Sequence, residues 1–239
     1  MDKRISEAPD GEPAMRHPRA VRSYVLRAGR VTSAQQRALD ELLPRFGVEP
    51  GAGPIAFETL FGNDRPVVME VGFGNGEATW RMARAEPDTN FLGVEVHRPG
   101  VGRLLMKIEE NGLDNVRIAC QDAVELLQQR VEDGSLAGVR IYFPDPWPKK
   151  RHHKRRIVQP DFVRLLAEKM RTGGILHLAT DWQPYAEFML DVMTQAPGFE
   201  NLSASGGCSE KPGWRPPTKY ERRGRKLGHD VADLVYRRS

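Results

Sequence analysis

The sequence predicts an α/β fold, a doubly wound and mostly parallel sheet with helices on both faces. Three observations predict it. From Arg65 onward, short buried-strand runs alternate with segments of helical period. A glycine-rich turn follows the first of these strands directly and opens a helix. Apolar residues make up 39% of 239 residues, which is low but sufficient for one sizeable core carrying polar extensions.

The elements follow in order. Residues 1 to about 30 are polar, with Arg16, Arg19, Arg22, Arg27 and Arg30 spread through them, and read as a basic, mostly disordered arm. Ser33 and Gln36 have the spacing of a capping box, and Leu39, Leu42, Leu43 and Phe46 continue at helical spacing as one short amphipathic helix. Gly47 to Pro54 is rich in glycine and proline and predicts a loop. These segments form a basic N-terminal part, residues 1–62, ahead of a main domain over 63–239. Strands are predicted at 66–71, 90–96, 116–120, 139–143, 175–179 and 231–236. Between them lie helices at 77–85, 99–110, 124–131, 162–170 and 185–194. Pro99 suits the first turn of its helix, Asn111-Gly112 its end, and Gly173-Gly174 a turn behind Met170. In such sheets ligands bind beyond the carboxyl ends of the strands.

Composition narrows the function. Cys120 and Cys208 are far apart and outside any metal-ligand spacing, so neither a disulfide framework nor a zinc site is indicated, and a reducing cytoplasm fits. The N-terminus has no apolar segment of the secretory kind, and no run approaches the ~20 apolar residues of a membrane span. The formal net charge of +4 favours an anionic partner only if the positive charges cluster.

The turn Glu70-Val71-Gly72-Phe73-Gly74-Asn75-Gly76 brings the backbone close to a ligand. Alone it would serve a dinucleotide, a methyl donor or tight packing. Two details favour the methyl donor. The glycines are spaced G-x-G-x-G, where the dinucleotide fingerprint is G-x-G-x-x-G. Glu70 would repel a pyrophosphate but suits a cationic amino group and sulfonium. Glu95 ends the second strand, where a carboxylate can accept from ribose hydroxyls, and Asp122 follows the third, in reach of an adenine amino group. Three acids at three successive strand ends beside a glycine turn point to S-adenosylmethionine.

The fourth strand runs into Phe143-Pro144-Asp145-Pro146-Trp147-Pro148. Then come Lys149, Lys150, Arg151, His152, His153, Lys154, Arg155 and Arg156, six formal positive charges and two histidines in eight residues. Elsewhere such a run is a solvated loop. Beside a methyl-donor cleft it matches the phosphates of a nucleic acid. Arg215, Lys219, Arg222, Arg223, Arg225 and Lys226 add positive charge near the C-terminus. Trp147 could stack on a base or pack as a lid between two prolines.

At these residues the sequence resembles the bacterial-type tRNA (guanine-N7)-methyltransferases. The resemblance rests on E-V-G-F-G-N-G at 70–76, F-P-D-P-W-P-K-K at 143–150, T-D-W at 180–182, T-K-Y-E at 218–221 and V-L-R-x-G-R at 25–30. It covers roughly residue 22 to the end, and the D-P-W-P-K segment is its most specific part. It implies a sheet of the class I S-adenosylmethionine-dependent methyltransferase type and a guanine in the tRNA variable loop as target. It further implies that Glu70, Glu95, Asp122 and Asp145 contact the methyl donor, together with the turn glycines Gly72, Gly74 and Gly76, and that Asp145 also serves catalysis. Lys149, Asp181, Thr218, Lys219, Tyr220 and Glu221 would contact the guanosine, and Arg151, His152, His153, Lys154, Arg155 and Arg156 the RNA.

Asp181 and Glu221 fit guanine's Watson–Crick edge, because an ionised carboxylate only accepts hydrogen bonds and guanine offers donors at N1 and N2. The bland alternative for Asp181 is a cap on the helix ahead of Tyr185. Three rival functions share parts of this pattern: a nicotinamide-dependent oxidoreductase, an RNA-binding module without catalysis, and a methyltransferase of small molecules. Glycine spacing disfavours the first. Asp145 and Asp181 disfavour the second, and the basic run has no purpose in the third.

Overall fold

The computed structural model describes residues 29–49, 51, 53–218, 221–222, 228 and 230–239. The basic arm up to residue 28, most of the V-L-R-x-G-R stretch, Lys219, Tyr220, Arg223, Arg225 and Lys226 lie outside them.

The elements are α1 (Ser33–Glu41), α2 (Leu43–Phe46), α3 (Phe57–Phe61), β1 (Val67–Val71), α4 (Glu77–Ala85), β2 (Asn90–Val94), α5 (Arg98–Asn111), β3 (Val116–Ala119) and α6 (Ala123–Arg130). There follow β4 (Leu136–Tyr142), a 3-10 turn (Lys150–Arg155), α7 (Pro160–Lys169), β5 (Met170–Thr180), α8 (Gln183–Thr194), β6 (Phe199–Asn201) and β7 (Ala232–Arg238). The sheet order is β3-β2-β1-β4-β5-β7-β6. The strands from β1 to β5 run parallel, and β7 lies antiparallel to both β5 and β6. The chain therefore winds outward from β1 to β3 and returns on the other side of β1 as β4. That reversal opens a crevice at the strand ends between β1 and β4.

Every residue of β1 and β2 is buried, as expected of parallel strands covered on both faces. Met69, Val71, Leu92 and Val139 pack on one side with Leu126, Leu166 and Met189 from α6, α7 and α8. Val68, Phe91 and Ile118 pack on the other with Leu39, Met82 and Leu104 from α1, α4 and α5. Among the described residues no helix is long and apolar enough to cross a membrane.

Several local expectations shift. The capping box forms one residue earlier: Thr32 Oγ1 accepts from the Gln35 N–H at 3.3 Å, and Gln35 Oε1 accepts from the Thr32 N–H at 2.9 Å. The sequence T-S-A-Q-Q fits both registers, and tertiary contact decides. Gln35 also donates to the Pro99 carbonyl at 3.1 Å, whereas Gln36 turns to Asp40 at 2.8 Å. The one expected N-terminal helix is two, since Leu42 ends α1 and Pro44 starts α2. The short helix α3 was not expected. Gly173 and Gly174 sit inside β5, which already begins at Met170. There the register against β4 slips between Leu136 and Gly138.

Gly100, in the first turn of α5, touches the glycine turn itself. A Cβ placed there would stand 2.0 Å from the Gly74 carbonyl oxygen. Gly100→Ala must push the turn away from α5. We expect a loss of roughly 2–3 kcal/mol and weaker cofactor binding, read by thermal melting and calorimetry. A variant that melts with the parent would mean that the turn yields freely.

Candidate active site

The crevice between β1 and β4 is a cavity of about 360 Å3, within the usual size of a small-molecule site. Gly72, Gly74, Glu70, Glu95, Asp122 and Asp145 all border it. The fold thus brings together every cofactor residue expected from sequence except Gly76. That glycine stands just behind, as the N-cap of α4 with φ 74°, and a Cβ there would meet Leu104 at 2.7 Å.

Each acid is held differently. Glu95 follows β2, and its Oε2 accepts from the Gly74 N–H at 2.8 Å while Oε1 accepts from the N–H groups of Val96 and His97 at 2.8 and 2.9 Å. Asp122 is the N-cap of α6, with Oδ1 accepting from the Glu125 N–H at 2.9 Å. Glu70 is 3% exposed on β1, and its Oε2 accepts from the Thr79 hydroxyl at 2.5 Å. Burial raises the Glu70 carboxyl to about 7. Thr79 and Arg140 pull the other way, and Glu95 adds to the rise. Asp145 is the exposed one, on the segment that leaves β4.

That segment is strained. Phe143 and Trp147 have φ of 53° and 45°, and each precedes a proline. Bulky residues rarely adopt this region, at a cost of about 1–3 kcal/mol apiece. The surroundings hold both. The Phe143 N–H donates to the Ala179 carbonyl at 2.7 Å, and the Arg215 guanidinium lies 5.8 Å over its ring. The Trp147 ring is flanked by His152 at 5.8 Å and by the Arg155 guanidinium at 4.9 Å. The two kinks throw Asp145 to the mouth of the cleft.

The donor set suits S-adenosylmethionine. Five carboxylates, Glu77 of α4 among them, border a cleft suited to a ligand that carries a sulfonium and an ammonium, and a carboxylate at the end of β2 suits a ribose hydroxyl.

Comparison with known proteins shows the family. Residues 64–234 match the family model described as "Putative methyltransferase". A tRNA (guanine-N(7)-)-methyltransferase of Alcanivorax borkumensis is 57% identical over 218 residues, 91% of each chain. One from Streptomyces avermitilis is 49% identical over 99% of this chain and 82% of its own. The chain belongs to this methyltransferase family. Solved structures support the fold alone: the 16S rRNA methyltransferase KamB, with TM-score 0.57 and 18% identity, covers 77% of this chain and 92% of its own. TrmN from Thermus thermophilus, with TM-score 0.51 and 16% identity, covers 86% of this chain and 48% of its own.

Of the substrate residues that the family resemblance implied, Thr218 borders the cleft, whereas Lys149, Asp181 and Glu221 do not. Lys149 is exposed and immediately precedes the 3-10 turn. Asp181 follows β5 directly and does not cap α8, whose N-cap is Trp182. Glu221 is buried. Both of its oxygens accept from Lys211 Nζ, at 3.0 and 3.1 Å, and Oε2 also accepts from Arg215 at 2.7 Å. Burial alone would raise its carboxyl, but these two cations hold it below the usual range.

The basic run also divides. Lys149, Lys150, Arg151 and Lys154 are exposed, and His152, His153 and Arg155 are half-buried. Partial burial and the surrounding cations Arg151, Arg155, Lys149 and Lys154 hold His152 below its ordinary value. Arg156 is 3% exposed. It donates to the Pro146 carbonyl at 2.9 Å and lies 4.8 Å over the rings of both Tyr185 and Phe188, so it ties the run to α8. Asn75, Gln121 and Phe143 border the cleft without having been singled out from sequence. Their only signal was adjacency to strand ends.

The Glu70 shift has a stability consequence. Below pH 4.5 the folded and unfolded chains both hold the proton. Between 4.5 and about 7 only the folded chain holds it, so stability falls as pH rises, and above 7 the full cost of about 3 kcal/mol is present. Glu70→Gln removes that cost. Its melting temperature should match the parent near pH 4.5 and exceed it at pH 8. Parallel pH profiles would show that Glu70 does not titrate in this range.

Proposed function

We propose that this protein transfers a methyl group from S-adenosylmethionine to N7 of a guanine in the variable loop of tRNA, in the cytoplasm. One juxtaposition carries the reading: a cleft lined by five carboxylates opens beside a run of six cations that begins four residues after Asp145. The tRNA guanine-N7 methylation for which the relatives are named supports it.

The methyl donor supplies an electrophilic methyl group on a positively charged sulfur. Guanine N7 already has a free lone pair, so its attack releases no proton and needs no strong general base. Positive charge moves onto the purine. Asp145, a carboxylate at the mouth, stabilises that charge as it develops and orients the base. Glu70, Glu95, Asp122 and the turn of Gly72, Gly74 and Gly76 hold the cofactor, with Glu95 on the ribose. Lys149, Asp181, Thr218, Lys219, Tyr220 and Glu221 form the guanosine side. Asp181 is the better candidate for the Watson–Crick edge, because the oxygens of Glu221 already accept from Lys211 and Arg215.

The RNA side is the run Arg151, His152, His153, Lys154, Arg155 and Arg156, with Arg156 anchoring it rather than reaching phosphate. Making a base accessible costs a few kcal/mol, and phosphate contacts offset it. Residues 1–62 act as a basic arm ahead of a catalytic domain over 63–239.

The direct test supplies labelled S-adenosylmethionine and mixed cellular RNA, then identifies the modified nucleoside. We expect 7-methylguanosine in the tRNA fraction. Label in another nucleoside, or none, overturns the reading. Neutralising Lys150, Arg151 and Lys154 together should weaken binding of all tRNAs alike and lower the slope of log affinity against log salt by about 2–3. An unchanged slope would make the run a solvated loop.

A further inference from the structure

The sheet face that carries Val68 and Phe91 bears α4 and α5 over β1 and β2, yet over β4, β5 and β7 it bears polar side chains. Arg140 and Tyr142 from β4, His177 from β5 and Asp233 from β7 are all buried there. The segment from Lys211 to Thr218 lies across them. It is led in where the Ser209 N–H donates to the Asp233 carbonyl at 2.7 Å. Trp214 Nε1 donates to His177 Nδ1 at 3.0 Å, and its ring lies 5.5 Å under the Arg140 guanidinium.

The centre of this layer is Arg215, 2% exposed. Its Nε and one terminal nitrogen donate to the two oxygens of Asp233, at 2.5 and 2.8 Å, and its other terminal nitrogen donates to Glu221 at 2.7 Å. His177 completes Asp233. Because Nδ1 accepts from Trp214, the ring's proton is on Nε2, which donates to Asp233 at 2.8 Å. Arg215 therefore reaches Glu221 across Thr218, three residues from each. The Thr218 hydroxyl accepts from the Glu221 N–H at 3.2 Å, and Thr218 borders the cleft. Just beyond, Arg222 donates to Glu77 at 2.8 and 3.1 Å, and Glu77 borders the cleft from the first turn of α4.

We propose that Arg215 is a positioning residue for methyl transfer, holding the strap Lys211–Thr218 on Asp233 and Glu221 so that Thr218 meets the substrate at the cleft. The inference rests on the methyltransferase reading above. A planar fork serves two carboxylates in fixed directions, and lysine has no equivalent. Loss of the fork lets the strap shift while the glycine turn, Glu95 and Asp122, built on β1 to β3, stay in place.

The test compares the parent, Arg215→Lys, Thr218→Ala and the double variant. We expect Arg215→Lys to lower kcat/KM for tRNA by roughly 10- to 100-fold with cofactor affinity within about twofold of the parent. The double variant should be no slower than the slower single, because both changes remove one arrangement. Multiplying effects in the double, or an Arg215→Lys enzyme as fast as the parent, overturns the proposal. If Arg215→Lys melts far below the parent, Asp233→Asn carries the same comparison, since it keeps shape and removes charge. Hydrogen exchange without substrates is read in parallel. Faster exchange confined to 211–218 supports the anchor, and no change or a uniform change across the chain refutes it. A parent that methylates no RNA would sink the functional reading alone, and the exchange result would still decide the anchor.

Discussion

The carboxylate of Glu95 accepts from the backbone N–H groups of Gly74, Val96 and His97, and the shape of the cleft depends on these three bonds. The first ties the turn after β1 to the end of β2. The others fix the chain as it enters α5, whose N-cap is His97. Gly100 then lies against the Gly74 carbonyl, so the turn is gripped from both sides. Bonds to an ionised acceptor are roughly twice as strong as neutral ones. An ionised carboxylate offers about four lone-pair directions, and the backbone takes three of them. A ribose hydroxyl bound by Glu95, as proposed, would take the fourth or displace the Gly74 donor. Cofactor binding and the conformation of the glycine turn are linked through a single side chain.

Much of this end was legible in the sequence because it is local. A buried strand, a glycine turn and an acid two residues before the first glycine occupy ten consecutive positions, 67–76, and the acids after β2 and β3 follow from the alternation of elements. What was not legible depends on contacts between distant residues. T-S-A-Q-Q allows two capping registers, and only the Pro99 carbonyl selects Gln35. Met170 looked like the end of a helix because nothing local shows that Gly173-Gly174 forms a bulge against Leu136 and Gly138. The burial of Arg156 and Glu221 was not legible, because charge in a sequence carries no mark of burial. One packs on two aromatic rings of α8, and the other sits between two cations. Tyr142, His177 and Asp233 gave no pattern at all, and Arg215 read only as one more cation of the C-terminal cluster although it is buried, since three strands and a connecting segment bring the four together.

That polar layer is an unusual way to cover a sheet. A helix packed there would hold by area, and small slips along it would cost little. Ions buried with every direction specified behave otherwise. The Asp233 carboxyl would be raised by burial alone, yet the hydrogen bonds from His177 and Arg215 hold it below its ordinary value. His177 is held below its own ordinary value by burial, which keeps it neutral as its bond from Trp214 requires. Such a layer adds little net stability over an apolar one, because desolvation offsets attraction. What it provides is register. The guanidinium of Arg215 meets two carboxylates in one orientation only, and a segment without regular structure thereby acquires a fixed place beside the cleft.

The charges around the cleft divide along the same line. Carboxylates line the cleft, and the exposed cations of the run stand after the strained segment that ends at Trp147. The two sets suit ligands of opposite sign, as the proposed function requires, and they lie close together. Their separation is enforced locally by prolines. Each kinked aromatic is followed by one, so the chain between Phe143 and Pro148 cannot relax into a strand or a helix. Asp145 is held at the boundary, between the two prolines Pro144 and Pro146. At physiological salt, charges more than about 8 Å apart in solvent are largely screened, so each ligand responds to the charges it touches. A cation within the cleft meets acids although the chain is net basic, and a phosphate backbone outside meets bases although acids lie behind them. The strain at Phe143 and Trp147 is the energetic cost of that boundary, and the contacts of Arg215 and Arg155 on those two rings help to maintain it.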